Sequence, residues 1–317
     1  MSVNTESVIH DLGYKRYDGP RLGRAAIIRS LAASSFRAAF GFGRSFKAKI
    51  VPFLILIVLC LPAIINADVV SGGGQRLLDY DTYRPDLRIF GMLIFVAVQA
   101  PELVSRDLRS RVLPLYFSRP LRPADYPAAK FIAFFSACLV MMWVPLIALY
   151  LGTIASLHGG SQIWHETQAL FPGLLIGLMW AVVLAAIGLF LASLSGRRAF
   201  ATGAIAIFLF LTWVLASIIV QAEVAQVGGL HRAAGPGPGP GPIQATVPPT
   251  PTGVKIGGLF SPYTLMDGIR TWFGAPLKNG QVPDPHAFGF VYLIVLIALV
   301  AGCLYGLVVR YRKAALS

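Results

Sequence analysis

The chain is 317 residues long, 56% hydrophobic and only 13% charged, with a mean hydropathy of +0.68. Soluble domains carry about a quarter charged residues, so a water-facing globule is excluded and lipid must be the solvent for most of this chain. The formal charge of +13, from 27 Lys and Arg against 14 Asp and Glu, reads as the basic cytoplasmic loops of a membrane protein rather than as a nucleic-acid surface.

Residues 1–49 are polar and basic. Their first thirty positions hold no apolar core, so no cleavable signal peptide is expected. Ile28, Leu31, Ser35, Ala39, Phe42 and Phe46 recur at steps of three and four, and Arg29, Arg37, Arg44 and Lys47 lie opposite them. Phe36 and Phe40 fall on the basic side and interrupt the pattern. A basic amphipathic helix with aromatics lies in the headgroup plane. An interfacial helix is therefore expected here in preference to a solvated tail, because the stripe leads straight into the first apolar run.

Six apolar runs follow, at residues 50–67, 89 to about 103, 131–151, 170–194, 199–220 and 288–309; the second is the shortest. In lipid each must be helical, because every backbone polar group needs an internal partner. A bilayer core of roughly 30 Å takes about 20 apolar residues to cross. The expected fold class is an all-α polytopic membrane protein with six transmembrane helices, five within residues 50–220 and the sixth within 288–317. Cys60, Cys138 and Cys303 each sit inside a run, so neither a disulfide nor a metal site is expected from them.

Orientation follows from Lys and Arg. Nine precede the first run from Lys15 onward, six lie between the second and third, two between the fourth and fifth and three after the sixth, twenty in all. The other side carries seven over many more residues: Arg76, Arg84, Arg88, Arg232, Lys255, Arg270 and Lys278. The first side is expected to be cytoplasmic, with both termini inside, and an even number of spans fits that arrangement.

Residues 101–130 lie on that basic side. Arg106, Arg109, Arg111, Arg119, Arg122 and Lys130 alternate there with Leu108, Val112, Leu113, Leu115, Tyr116 and Phe117. A solvated loop has no use for the apolar row. Either the segment, about 105–120, is a helix that docks on another protein, or it rests on anionic headgroups.

The outer segment, residues 221–287, holds a Gly-Pro tract at 235–242. Such a tract favours extended, loosely jointed backbone and reads as a spacer. After it, Ser261 and Pro262 suit the start of a helix, and Leu265, Ile269 and Trp272 share one face. A short helix over about 261–273 is expected on, or dipping into, the outer membrane face.

Catalytic constellations are sparse. No G-x-x-x-x-G-K-[ST], H-E-x-x-H or G-x-S-x-G occurs, so the chain is not expected to bind ATP through a phosphate loop or to act as an enzyme. His158, His165 and Glu166 share an outer loop; a metal site is one reading, but their spacing is loose and a solvated loop is the simpler one. Buried ionisable residues mark ion pathways, and the runs hold almost none. Asp68 and Glu102 read as boundary residues, which argues against a proton- or sodium-coupled carrier. Gly173 with Gly177 and Gly302 with Gly306 permit close helix approach, either within the chain or across a dimer.

Asp107, Arg109, Ser110, Leu113, Leu115, Tyr116, Pro120, Arg122 and Lys130 form a pattern that resembles the permeases of ABC-2 type exporters. Pro262, Tyr263 and Arg270 before the last run are similar to that family's Pro–aromatic–Arg pattern. Arg111 and Val112 depart from it, standing where the family often has Gly-Thr. The resemblance implies a type V exporter-like architecture, with the N-terminal helix as the elbow and residues 105–120 as a coupling helix seated in an ATPase. Arg106, Asp107, Leu108, Arg109, Val112, Leu115, Tyr116 and Pro120 are then the expected coupling contacts.

The function so implied is the permease subunit of an ATP-driven exporter in a bacterial cell membrane. It would carry no cofactor itself; ATP and Mg would sit on two copies of a partner ATPase, and a second permease, identical or homologous, would complete the path. The apolar spans suit a lipid-like, drug-like or otherwise amphipathic cargo. The alternative is a membrane anchor or assembly module that holds an extracytoplasmic partner through residues 221–287.

Overall fold

The computed structural model of the protein describes residues 19, 23–71, 85–109, 121–122, 124–155, 157, 159–233, 252–270, 272 and 285–316. These residues form nine α-helices and one 3-10 turn: α1 (Arg24–Ala39), α2 (Phe46–Ser71), α3 (Pro85–Arg109), α4 (Asp125–Ile154), α5 (Gly160–Leu194), α6 (Arg198–Ala233), α7 (Thr252–Gly257), the turn Gly258–Phe260, α8 (Pro262–Arg270) and α9 (Pro285–Leu316). Helices α2, α4, α5, α6 and α9 are long and apolar enough to cross a membrane. The protein is therefore an all-α, multi-span membrane protein, with five such helices among the described residues.

Helix α3 differs from these five. Its apolar stretch, Phe90–Ser105, is shorter, although 25 helical residues extend about 37 Å. Gln99, Glu102 and Ser105 interrupt it, and all three are buried. The cause is position. Helix α3 packs against α1, α2, α4, α5 and α6, so its polar side chains meet protein rather than lipid. Met92, Phe95, Val96, Ala100 and Leu103 fill the core around it, and Phe95 stacks on Phe134 of α4 with ring centroids 6.0 Å apart. The peripheral helices show the opposite pattern: Ile57 and Ile64 of α2, Ile207 and Ile218 of α6 and Ile294 and Ile297 of α9 are exposed, as a lipid-facing surface requires.

Several helices outrun their apolar runs. Helix α4 begins at Asp125 rather than near residue 131, and α5 at Gly160 rather than 170. Helical hydrogen bonding does not need apolar side chains once the chain leaves the membrane core. Helix α3 likewise continues through Pro101 to Arg109, beyond its expected end near residue 103. Of the small-residue pairs, Gly177 faces Trp143 and Met142 of α4, and Gly306 faces Phe190 of α5. Both are thus used for packing within the chain.

Helix α1 is amphipathic, with a wider buried face than the stripe suggests. Leu31, Ser35 and Ala39 are buried as expected. Phe40 is buried too, against Phe53 of α2 and Phe95 of α3, and Phe36 packs beside it. The reason is that α1 rests on two helices, α4 and α3. The stripe itself ends at Ala39, because the backbone turns sharply at Gly41 (φ 75°), leaving Phe42 and Phe46 exposed.

Helix α8 forms where expected, with the Tyr263 amide donating to Ser261 Oγ at 3.2 Å. It does not lie on the surface. Tyr263, Leu265, Met266 and Ile269 are all buried among α5, α6 and α9. The Tyr263 ring sits 5.1 Å from that of Trp180 on α5, and a Cβ on Gly268 would fall 2.3 Å from the Tyr292 ring of α9. The Tyr292 hydroxyl donates to the Lys255 carbonyl at 2.8 Å, tying α9 to α7. The Gly-Pro tract at 235–242 lies outside the described residues.

Candidate functional site at the basic end of the bundle

After residue 22, the basic side of the chain carries three carboxylates, Glu102, Asp107 and Asp125. The structure pairs every one of them. Glu102 lies on the C-terminal part of α3 with its side chain 6% exposed. Its Oε1 meets Arg44 Nη2 at 2.8 Å and its Oε2 meets Arg198 Nη1 at 3.0 Å. Arg44 comes from the turn between α1 and α2, and Arg198 opens α6. One carboxylate therefore holds three parts of the chain, and two cations compensate its desolvation.

One helical turn further on, Ser105 Oγ donates to the Ala192 carbonyl at 2.9 Å. Residues 102 and 105 share a face of α3 at the i, i+3 spacing, and that face meets the end of α5 and the start of α6. The last carbonyls of α5 have no partner within their own helix. Ala192 receives Ser105, and Ser193 receives Arg310 Nε of α9 at 3.3 Å.

Asp107 is turned by about 140° from Ser105's neighbour at 102 and so reaches a different helix. Its Oδ2 meets Lys130 Nζ of α4 at 2.8 Å and accepts the Tyr126 hydroxyl. Lys130 Nζ also lies 5.4 Å from the centroid of the Tyr126 ring, and the Tyr126 and Tyr311 rings are 5.0 Å apart. Lys130 is buried; its charge is offset by Asp107 and by the ring face. Asp125, the first residue of α4, accepts Arg24 Nε at 2.6 Å and the Arg122 amide at 2.9 Å, so α1 is tied to the start of α4.

The expected coupling residues are distributed as follows. Asp107 is half-buried and paired, and Arg109 is exposed on the last turn of α3. Arg106 and Leu108 belong to α3, but their side chains lie outside the described residues. Val112, Leu115, Tyr116 and Pro120 also lie outside them. Asp107 and Lys130, both part of the family-like pattern, are brought together at the two ends of the loop. In the sequence Glu102 reads as a boundary residue, Arg44 and Arg198 as basic-side charges without partners, and nothing singles out Asp125 or Tyr126. The available signal was scarcity: a carboxylate is rare on this side, so each one present must answer a nearby cation.

Elsewhere, His165 is exposed and Glu166 half-buried on the second turn of α5, and His158 lies outside the described residues. Among the described residues no group of three His, Cys, Asp or Glu side chains is placed to hold a metal ion. What the basic end can do is mechanical. It joins the helix that leads into residues 110–120 to the turn between α1 and α2, to α4, α5 and α6 through charged and hydrogen-bonded contacts.

Compared with known proteins, the chain matches no family model and no curated protein.

Proposed function

We propose that the chain is the membrane-spanning permease subunit of an ATP-driven exporter of the ABC-2 type, working in a bacterial cell membrane with its basic end in the cytoplasm. Helix α3 then acts as the sixth span. The observation that carries this reading is the position of Glu102, Ser105 and Asp107 on the helix that runs into the 110–120 segment. A push or pull on that segment reaches α4 through Asp107–Lys130, α5 through Ser105, and the elbow turn and α6 through Glu102. An anchor has no need for such ties; a subunit that must turn motion at one loop into motion of the whole bundle does.

In this reading the chain holds no cofactor. Two copies of a partner ATPase bind ATP and Mg, and residues 105–120 dock on them through Leu115 and Tyr116 with Arg106 and Arg109 facing partner carboxylates. A second permease completes the path, and an amphipathic, lipid-like cargo passes between the two. The test is affinity purification of the tagged chain from its native membrane. A P-loop ATPase is expected to co-purify, and its activity in the complex is expected to fall on Leu115→Asp or Tyr116→Asp. If no ATPase accompanies the chain, or if both variants leave hydrolysis and transport unchanged, the coupling reading fails and the anchor reading through residues 221–287 takes its place.

A further inference from the structure

The corner between α1 and α2 carries charge that the bundle does not use. Residues 23–67 hold six basic side chains and no acidic one. Arg24 and Arg44 are paired with Asp125 and Glu102. Arg37 and Lys47 are exposed and Lys49 is half-buried, and among the described residues none of the three has a carboxylate within ion-pair distance.

Hydrogen bonds and a left-handed glycine fix the backbone of this corner. The amides of Gly41 and Phe42 donate to Ala38 O at 3.0 Å and Arg37 O at 2.9 Å, closing the end of α1. Gly41 has φ 75°, and a Cβ there would lie 2.6 Å from Ala48 O, so only glycine permits so tight an approach. The turn places Phe42 outward, 47% exposed, and begins α2 at Phe46, 78% exposed. Lys49 Nζ stands 5.5 Å from the centroid of the Phe42 ring, and that ring meets Phe53 edge-on at 6.0 Å. From Phe53 the exposed row continues along α2 through Leu54, Ile57 and Ile64, the surface that faces lipid tails. The corner thus sits where the apolar face of α2 begins, with Lys49 beside the exposed Phe42 ring and Arg37 and Lys47 exposed in the flanking turns of α1 and α2.

We infer that this corner is a binding site for the headgroup of an anionic phospholipid in the surrounding leaflet. The lipid phosphate lies against Arg37, Lys47 and Lys49, and the upper acyl chain against Phe42 and Phe46. A zwitterionic headgroup brings no net charge to offset the three cations, whereas an anionic one does. The exposed rings select a lipid over a soluble anion, since only a lipid offers apolar surface beside its phosphate. The inference uses the membrane-spanning bundle alone and is independent of the exporter proposal.

The experiment is native mass spectrometry of the full chain in mild detergent, titrated with phosphatidylglycerol, phosphatidylcholine or inorganic phosphate. Phosphatidylglycerol is expected to be retained about tenfold more than phosphatidylcholine. The variant Arg37→Gln/Lys47→Gln/Lys49→Gln, or Lys47→Gln alone to a smaller extent, is expected to reduce that preference. Arg312→Gln/Lys313→Gln, which removes exposed charge at the other end of the chain, is expected to keep it. Phe42→Ser/Phe46→Ser is expected to weaken phosphatidylglycerol retention as well. Equal retention of the two lipids overturns the site. So does an equal loss in the Arg312/Lys313 variant, which would mean bulk charge, or displacement of the lipid by equimolar inorganic phosphate, which would mean a soluble anion.

Discussion

Asp107 on the last turns of α3 and Lys130 on the second turn of α4 meet at 2.8 Å, so the two ends of the intervening segment are held together by an ion pair. The Lys130 side chain is 7% exposed and that of Asp107 18%. Removing either charge leaves the other desolvated without its partner. Lys130→Met or Asp107→Asn is expected to cost about 3 kcal/mol, read as a lower Tm of the purified chain in detergent. The double variant Asp107→Asn/Lys130→Met should recover part of the loss, because no buried charge is then stranded.

The Glu102 fork should behave non-additively. Arg44→Ala or Arg198→Ala alone leaves one cation on the carboxylate, and each is expected to cost about 1 kcal/mol. Together they remove both of these cations from a buried carboxylate, and the pair is expected to cost about 3–5 kcal/mol, more than the sum of the singles. Thermal unfolding of the two single variants and the double variant gives the coupling. A double variant no worse than additive would mean that Glu102 does not bind both arginines at once.

Two glycines four residues apart on α9 should respond differently. A Cβ on Gly306 would lie 2.5 Å from the Phe190 ring, whereas a Cβ on Gly302 meets nothing within 4 Å. Gly306→Ala is expected to destabilise by about 1–3 kcal/mol through overpacking, and Gly302→Ala to be neutral or slightly stabilising. The comparison is made by thermal unfolding in the same detergent. A clear loss of stability in Gly302→Ala would point to a neighbouring chain on that face.

Orientation has its own test. In a background with Cys60, Cys138 and Cys303 replaced, single cysteines at Arg37, Arg109 and Arg312 should react with an impermeant maleimide from the same side of sealed vesicles. A cysteine at Gln162, exposed on the first turn of α5, should react only from the other. If Arg37 and Arg109 are labelled from opposite sides, α3 does not cross and the chain has five spans.

Much of the bundle was legible in the sequence because lipid imposes a simple rule. A helix crossing it must be apolar over about 20 residues, and five of the described helices are. The rule weakens where protein replaces lipid. Gln99, Glu102 and Ser105 make α3 look like a marginal span, yet they lie on the faces of α3 that pack against other helices. Phe40 falls on the basic side by periodicity because a helical repeat shows one buried face, whereas α1 rests on two neighbours. The start and stripe of α8 were readable from Ser261, Pro262, Leu265 and Ile269. Its burial was not, since contact with Trp180 and Tyr292 depends on residues far away in the chain. The polar ties at the basic end were hidden for the same reason: Arg198 is 96 positions from Glu102, and no local pattern announces their meeting.

The most direct test of the central claim places a photo-crosslinking amino acid at Leu115 or Tyr116 and, as a comparison, at Phe171, which is exposed on the lipid-facing part of α5. After irradiation of native membranes, positions 115 and 116 are expected to yield an adduct with a P-loop ATPase, and position 171 an adduct with lipid or none. Lipid adducts alone at 115 and 116 would contradict the claim that this loop is where an ATPase engages the bundle.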